Sequence, residues 1–254
     1  MLDRHSLLTT LSSTGFNPKS IPGLAVWLDA QDAGSFTYST GSDVSAWADK
    51  SGNGNNAVQA TGARQPLYVA SGINNRPVVQ FYDDATSKQL RIPNAGTLTY
   101  NPFSCYAVIR RLTDLTSNER IFGPWDITAS QRAFSMLVNN IDQLSCLIST
   151  TGGAAAGSAA VASPTIAINT NYIIDTGYTG TSVQAGVNGG TLTSTVVGAP
   201  FAATGGIMIG ANEAAGGYTE PFAGYIGEIL FYTASLTAAQ RATVIRYLFT
   251  KWGV

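Results

Sequence analysis

Gly224-Tyr-Ile-Gly-Glu-Ile-Leu-Phe-Tyr232, followed almost at once by Ser235-Leu-Thr-Ala-Ala-Gln-Arg241, decides the architecture. The first run has strand length and is rich in aromatic and β-branched residues. In the second, Thr237 and Gln240 stand at the spacing of a capping box, whose side chains satisfy the free amides at a helix start. Ile245, Leu248 and Trp252 then recur at helical spacing, and Gly253 ends the run, so a helix is predicted over 237–252 with one apolar stripe. Upstream the chain reads as strands throughout. After Ile21-Pro22-Gly23, Leu24, Val26 and Leu28 alternate with Ala25, Trp27 and Asp29, and short apolar runs follow at 76–81, 89–92, 103–109, 120–122, 133–138 and 143–148. Asn139-Asn140 and Asn188-Gly189-Gly190 read as hairpin turns, because Asn and Gly tolerate positive φ. The stretch 151–160, with no large apolar side chain, reads as a long exposed loop. Many strands and one terminal helix predict an all-β fold: a two-sheet antiparallel jelly-roll sandwich over residues 21–254, preceded by a lead of residues 1–20.

Composition narrows the functions. Only 11% of the 254 residues are charged, with 14 Lys+Arg against 15 Asp+Glu, and no basic run exceeds Arg110-Arg111. That excludes an electrostatic footprint for nucleic acid. The single histidine, His5, lies in the lead, so the domain lacks the usual proton carrier at neutral pH. Cys105 and Cys146 sit in apolar alternating runs and are read as small buried hydrophobes, with a disulfide as the alternative. The first residues carry no signal-peptide pattern, and no apolar stretch reaches membrane-span length. The expectation is a protein made in the cytoplasm.

Four stretches in order resemble the concanavalin A-like lectin/glucanase superfamily, in particular its laminin-G-like modules in bacteriophage and bacterial surface proteins. They are Pro22-Gly-Leu-Ala-Val-Trp-Leu-Asp-Ala30, Trp47-Ala-Asp-Lys-Ser-Gly-Asn-Gly-Asn-Asn-Ala57, Asn74-Asn-Arg-Pro-Val-Val-Gln-Phe81, and Phe222 to Tyr232 with the helix ending Lys251-Trp-Gly253. The opening Phe16-Asn-Pro-Lys-Ser-Ile-Pro-Gly23 is similar to phage-encoded members in which the module follows a short segment. The resemblance implies a virion-surface structural protein, decorating a capsid or built into a tail or fibre. It would assemble in the host cytoplasm, with other virion proteins and its own copies as partners and cell-surface glycans as a further ligand. The alternative is a carbohydrate-binding module of a bacterial surface or secreted protein.

Enzymatic members of that superfamily carry a Glu-x-Asp-x-x-Glu cluster on one strand, since retaining hydrolysis needs two carboxyl groups about 5 Å apart. No such motif occurs here. Glu228 stands alone in its strand, Asp83-Asp84 would point to opposite faces, and Glu213 and Glu220 lie in Gly-rich loop, so no catalytic residue and no enzyme are predicted. Asp49, Ser51, Asn53 and Asn55 gather oxygens within one turn; they are read first as a turn bonded to its own backbone and second as a Ca²⁺ site. For sugar stacking the best loop candidates are Trp125, with Asp126 beside it, and Tyr218, whereas Trp27 and Trp47 are read as core and Trp252 as part of the helix stripe. In the lead, Leu7, Leu8, Leu11 and Phe16 form an apolar set that predicts an attachment segment, with packing back onto the domain as the alternative.

Overall fold

The computed structural model describes residues 15–254 apart from 83, 85, 94–97, 154–157 and 215–216. Its strands are, in chain order, β1 (Leu24–Asp29), β2 (Phe36–Tyr38), β3 (Val44–Trp47), β4 (Ala57–Val58), β5 (Leu67–Val69), β6 (Val78–Phe81), β7 (Leu90–Ile92), β8 (Phe103–Arg111), β9 (Glu119–Gly123), β10 (Trp125–Asp126), β11 (Gln131–Arg132), β12 (Phe134–Val138), β13 (Gln143–Ile148), β14 (Ser158–Thr165), β15 (Asn171–Tyr178), β16 (Ser182–Val187), β17 (Thr193–Val196), β18 (Ile207–Ile209), β19 (Asn212–Ala214), β20 (Gly217–Thr219) and β21 (Gly224–Tyr232); one helix, α1 (Ala238–Trp252), follows.

β21 organises the first sheet. It pairs antiparallel with β8 along its length, while its other edge is shared by β6 at Gly224–Ile226 and β1 at Glu228–Tyr232. The register with β8 slips between Ile226 and Glu228, so Gly227 is an extra residue where the partner on the far edge changes. The order in this sheet is β17-β16-β15-β8-β21-β6-β5. The second sheet runs β14-β13-β12-β9-β18-β7-β4-β3-β2. Between the two lies an aromatic core in which Phe103 of β8 stacks on Phe134 of β12 at 4.2 Å, and Phe134 lies parallel to Phe231 of β21 at 5.7 Å. Cys105 and Cys146 are buried in the same core and unbridged, so the packing reading holds and the disulfide does not.

The helix begins as its capping box predicts, with Thr237 Oγ1 accepting from Gln240 N and the Gln240 side chain accepting from Thr237 N, and Gly253 closes it at φ 66°. Val244, Ile245, Leu248 and Trp252 are its buried stripe. The Asn188-Gly189 turn joins β16 to β17 at φ 50° and 69°. At 139–142 the turn is made differently: Asn139 Oδ1 accepts from Ile141 N and Gln143 N, and it is Asp142 that takes positive φ, 61°.

Two expectations need correction. The stretch 151–160 is not loop throughout: β14 starts at Ser158, pairs with β13, and buries Ala160, its small side chains fitting a strand that covers the core's edge. A third, four-stranded sheet, β11-β10-β19-β20, stands beside the two expected ones.

Candidate functional site

Trp125, Asp126 and Tyr218, from two stretches about ninety residues apart, meet in that third sheet. β10 leaves β9 through Gly123, where an added Cβ would lie 2.3 Å from Phe134 O, so only glycine lets the chain turn so close to β12. Ala133 N donating to Pro124 O, 2.9 Å, closes the β10–β11 hairpin. β10 runs parallel to β19 with Asp126 opposite Glu213, and β19 runs antiparallel to β20 with Glu213 opposite Tyr218. Because strand side chains alternate, Asp126, Gln131, Glu213 and Tyr218 share one face of the small sheet, and Trp125, Arg132 and Asn212 share the other. Burial follows this division except at Asp126. Trp125, Arg132 and Asn212 are 6%, 7% and 1% exposed and Asp126 is buried as well, while Gln131, Glu213 and Tyr218 are half-buried.

Trp125 is therefore not the exposed stacking platform the sequence suggested. Its ring lies beneath two guanidiniums, with Arg120 Cζ at 4.9 Å and Arg132 Cζ at 5.9 Å from the centroid. Arg120 in turn pairs with Glu220, Nε to Oε2 at 2.8 Å and Nη2 to Oε2 at 2.7 Å. Glu220 also accepts from Asn118 Nδ2 at 2.7 Å and from Asn212 Nδ2. Burial, with Arg132's charge acting in the same direction, holds the Arg120 guanidinium below its usual range despite Glu220.

On the open face, Arg64 Cζ stands 4.6 Å over the Tyr218 ring, Arg91 pairs with Glu213 at 3.4 Å, and Gln131 Oε1 accepts from Thr204 N at 2.8 Å. Asp126 is partly occupied already, since its Oδ1 accepts from Thr128 N and Ala129 N at 2.8 and 3.0 Å. The four arginines are what sequence reasoning missed. For Arg91 and Arg120 the signal was an arginine beside apolar residues in a short strand, as in Leu90-Arg91-Ile92 or before Ile121-Phe122; Arg64, in the short turn of helix Gly62–Arg64, had none.

The Asp49–Asn55 turn is bonded to itself and to β1. Asp49 Oδ1 accepts from Trp27 N (2.9 Å) and Ser51 N (2.8 Å), and Oδ2 from Ser51 Oγ (2.6 Å) and Asn55 N (3.0 Å). Asn53 Nδ2 donates to Leu24 O and Asn55 Nδ2 to Ala25 O, at 2.9 and 2.8 Å. Ser51 Oγ also lies within hydrogen-bond distance of Ala25 O, 3.1 Å. These four residues thus tie the turn to the sheet, and among the described residues no group of three His, Cys, Asp or Glu stands where it could hold a metal. The Ca²⁺ alternative is not supported by this donor set.

Glu228 is not alone. Asp29 faces it in register across β1 and β21, and Lys251 Nζ bridges the two at 2.8 Å each. Trp27 Nε1 and Tyr247 Oη donate to Glu228 Oε1 at 2.7 and 2.9 Å, and Trp252 Nε1 to Oε2 at 2.7 Å. Burial pushes the Glu228 carboxyl up against the pull of Lys251, whereas at Asp29 the lysines Lys251 and Lys50 outweigh burial and hold the carboxyl below its usual range. Fully buried and bonded on both oxygens, this carboxylate anchors the helix to the sheet. Trp47 is core as expected; Trp27 is half-buried, its ring beneath Lys50 Nζ at 4.7 Å.

Leu7, Leu8 and Leu11 lie outside the described residues. Phe16 corrects the attachment set: its ring packs edge-on against Tyr247 at 5.5 Å, and nearby Pro18 is buried, its carbonyl accepting from Tyr232 Oη at 3.2 Å. Residues 16–20 thus cover the foot of β21 and α1.

No family model matches the chain, and no curated protein is similar to it in sequence. Solved structures share its fold. Sialidase of Trypanosoma rangeli superposes with a TM-score of 0.62 at 14% identity, over 91% of this chain and 33% of that one. Domain 4 of a GH43 extracellular arabinanase from Geobacillus stearothermophilus, solved with arabinotriose, gives 0.59 at 16%, over 88% and 98%. The receptor-binding domain of botulinum neurotoxin type G gives 0.61 at 11%, over 88% and 51%. The chain spans about a third of the sialidase's length. The fold is therefore the β-sandwich shared by these carbohydrate-associated and receptor-binding domains.

Proposed function

We propose that this domain is a non-catalytic, lectin-like module that binds glycan on the open face of the small sheet and is carried on the surface of a bacteriophage particle. The observation that carries the reading is the row Asp126–Glu213–Tyr218, flanked by Gln131, Arg64 and Arg91. The half-buried phenol ring, with the Arg64 guanidinium stacked over it, offers a planar surface to sugar C–H groups, and the amide, carboxylate and guanidinium groups beside it suit hydroxyls. The fold shared with an arabinanase domain solved with arabinotriose supports a carbohydrate ligand. The virion setting is supported by the similarity of Phe16–Gly23 to phage-encoded openings, and it supplies the partners: other virion proteins and further copies of the chain.

A glycan array probed with the isolated protein tests the ligand. Binding is expected, and Tyr218→Ala should weaken it about tenfold, roughly 1.4 kcal/mol, the size of one stacking contact. An array without hits, or hits indifferent to both Tyr218→Ala and Glu213→Gln, overturns the reading. Stoichiometric recovery from purified particles is expected for the virion setting. Its absence there would favour a module of a bacterial surface or secreted protein.

A further inference from the structure

Leu98 and Thr99 line two cavities, of about 480 and 380 Å³, at the end of the first sheet where β1 and β8 begin and β21 ends. Residues 23–25, Asn53, Asn55 and Thr233 complete the first cavity, and Asn101 with the stretch 200–204 is the main part of the second. Both volumes suit a small ligand, and because they share Leu98 and Thr99 they form one cleft open to solvent. Its far end meets the small sheet: Thr204, in the wall of the second cavity, donates its backbone N–H to Gln131 Oε1 at 2.8 Å.

No Asp, Glu, Lys, Arg or His lines either cavity, in contrast to the open face of the small sheet with its Glu213 and Arg91. The walls carry amides and hydroxyls with capacity to spare. Asn53 and Asn55 donate through Nδ2 to Leu24 O and Ala25 O at 2.9 and 2.8 Å, which fixes both side chains, while neither Oδ1 accepts a bond among the described residues. The exposed side chains of Thr99 and Asn101 have no hydrogen-bond partner among the described residues. Phe201 adds a half-buried ring, positioned by its own N–H donating to Ser149 O at 2.8 Å. Amides and hydroxyls match a ligand whose groups both donate and accept, and an aromatic ring fits a C–H face. A charged ligand would lose water there without meeting an opposite charge.

We infer that this cleft holds a neutral oligosaccharide, its hydroxyls bonded to Asn53, Asn55, Thr99 and Asn101 and one sugar ring packed on Phe201. The inference rests on the proposed glycan function for the class of ligand. It extends recognition from the small sheet past Gln131 and Thr204 onto an uncharged surface, so that chain length and neutrality both govern affinity, a selectivity the charged open face would not confer.

The probes are maltohexaose, cellohexaose and mannohexaose, titrated into the whole protein while the side-chain amide resonances of Asn53, Asn55 and Asn101 are followed by NMR, with hexagalacturonate and the matching disaccharides as parallel arms. At least one neutral hexamer at millimolar concentration should move the three amides to saturation, its disaccharide should bind about tenfold more weakly, and Thr99→Val or Phe201→Ala should weaken the hexamer about tenfold. The titration uses the unaltered protein, so a poorly folding variant does not remove the test. Amides that no neutral hexamer moves overturn the inference, and so does hexagalacturonate binding as tightly as a neutral hexamer. Amide signals that shift only with protein concentration would give the cleft to a second copy of the chain and overturn it too. Saturable shifts of the cleft amides, with array hits indifferent to Tyr218→Ala and Glu213→Gln, would spare the cleft and sink the small-sheet reading; hits that depend on Tyr218, with silent cleft amides, would do the reverse.

Discussion

Trp252 fills the space where a side chain on Gly227 would stand: a Cβ there would lie 2.6, 2.7 and 2.9 Å from Cη2, Cζ3 and Cζ2 of the indole. The bulged residue of β21 is thus the seat of the last aromatic of α1, and the neighbouring Glu228 takes the indole N–H. Trp252→Ala is expected to cost about 3–5 kcal/mol, as for other fully buried aromatics, and Gly227→Ala about 1–3 kcal/mol by overpacking. Denaturant unfolding measures both. A loss below about 1 kcal/mol for Trp252→Ala would mean that the helix is peripheral to the fold.

Lys251 holds Asp29 and Glu228 together at 2.8 Å from each, with Tyr247 Oη 3.1 Å away. Lys251→Met removes the shared cation and leaves two carboxylates facing each other in register. A cost of about 3–5 kcal/mol is expected, the range for breaking a buried pair from one side. The paired change with Glu228→Gln should recover part of it, because the remaining carboxylate then keeps Lys50. A double variant no more stable than Lys251→Met alone would place the cost elsewhere than in charge.

The strands that alternate cleanly, such as β1 and β13, and the capped helix were legible because their signals are local. β15, in the middle of the first sheet, was not: Asp175, Thr176 and Gly177 interrupt its apolar run. Asp175 is tolerated there because Arg241, 66 residues on, binds it at 2.7 and 3.0 Å from the helix. The two-residue strands β10 and β11 were equally hidden, since pairing that short is made by the surrounding chain. Trp125 and Tyr218 stood out as aromatics beside turn residues, but only register shows that they face opposite ways. Glu228 looked isolated because its partners come from β1 and α1.

The Asp49 turn gives a third expectation. With both carboxylate oxygens engaged by Trp27, Ser51 and Asn55, chelator should leave the melting temperature unchanged, while Asp49→Ala should lower it by removing the acceptor of several backbone and hydroxyl donors. A fall of more than about 10 °C in chelator, reversed by Ca²⁺, would mean several kcal/mol of linked binding and would restore the metal reading.

Removal of residues 1–20 tests the lead. Phe16 on Tyr247, and the Pro18 carbonyl under Tyr232 Oη, make the end of that segment part of the fold. A chain starting at Ile21 is therefore expected to melt earlier than one starting at Gly15, and Phe16→Ala should cost about 1–2 kcal/mol as a half-buried aromatic contact. Equal melting of the two truncated chains would return residues 15–20 to an attachment role.

The last expectation concerns alkaline pH. In an unfolded chain a thiol titrates near about 8.5 and a phenol near about 10. Burial pushes the Cys146 thiol up to about 12, and burial raises Cys105 as well. The phenols of Tyr100, Tyr106 and Tyr232 are raised by burial too. A group whose folded value is raised keeps its proton where the unfolded chain has released it. Its contribution is therefore complete below the unfolded value and is lost as pH rises toward the folded one. The melting temperature should hold between about pH 7 and 8 and fall steadily from about 8.5 to 12, the thiols setting the start and the phenols steepening the decline. Over the same range both cysteines should resist a disulfide reagent in the native protein and react in denaturant. Native-state labelling at the rate of a free thiol would show that the core between the two sheets opens more readily than its packing implies.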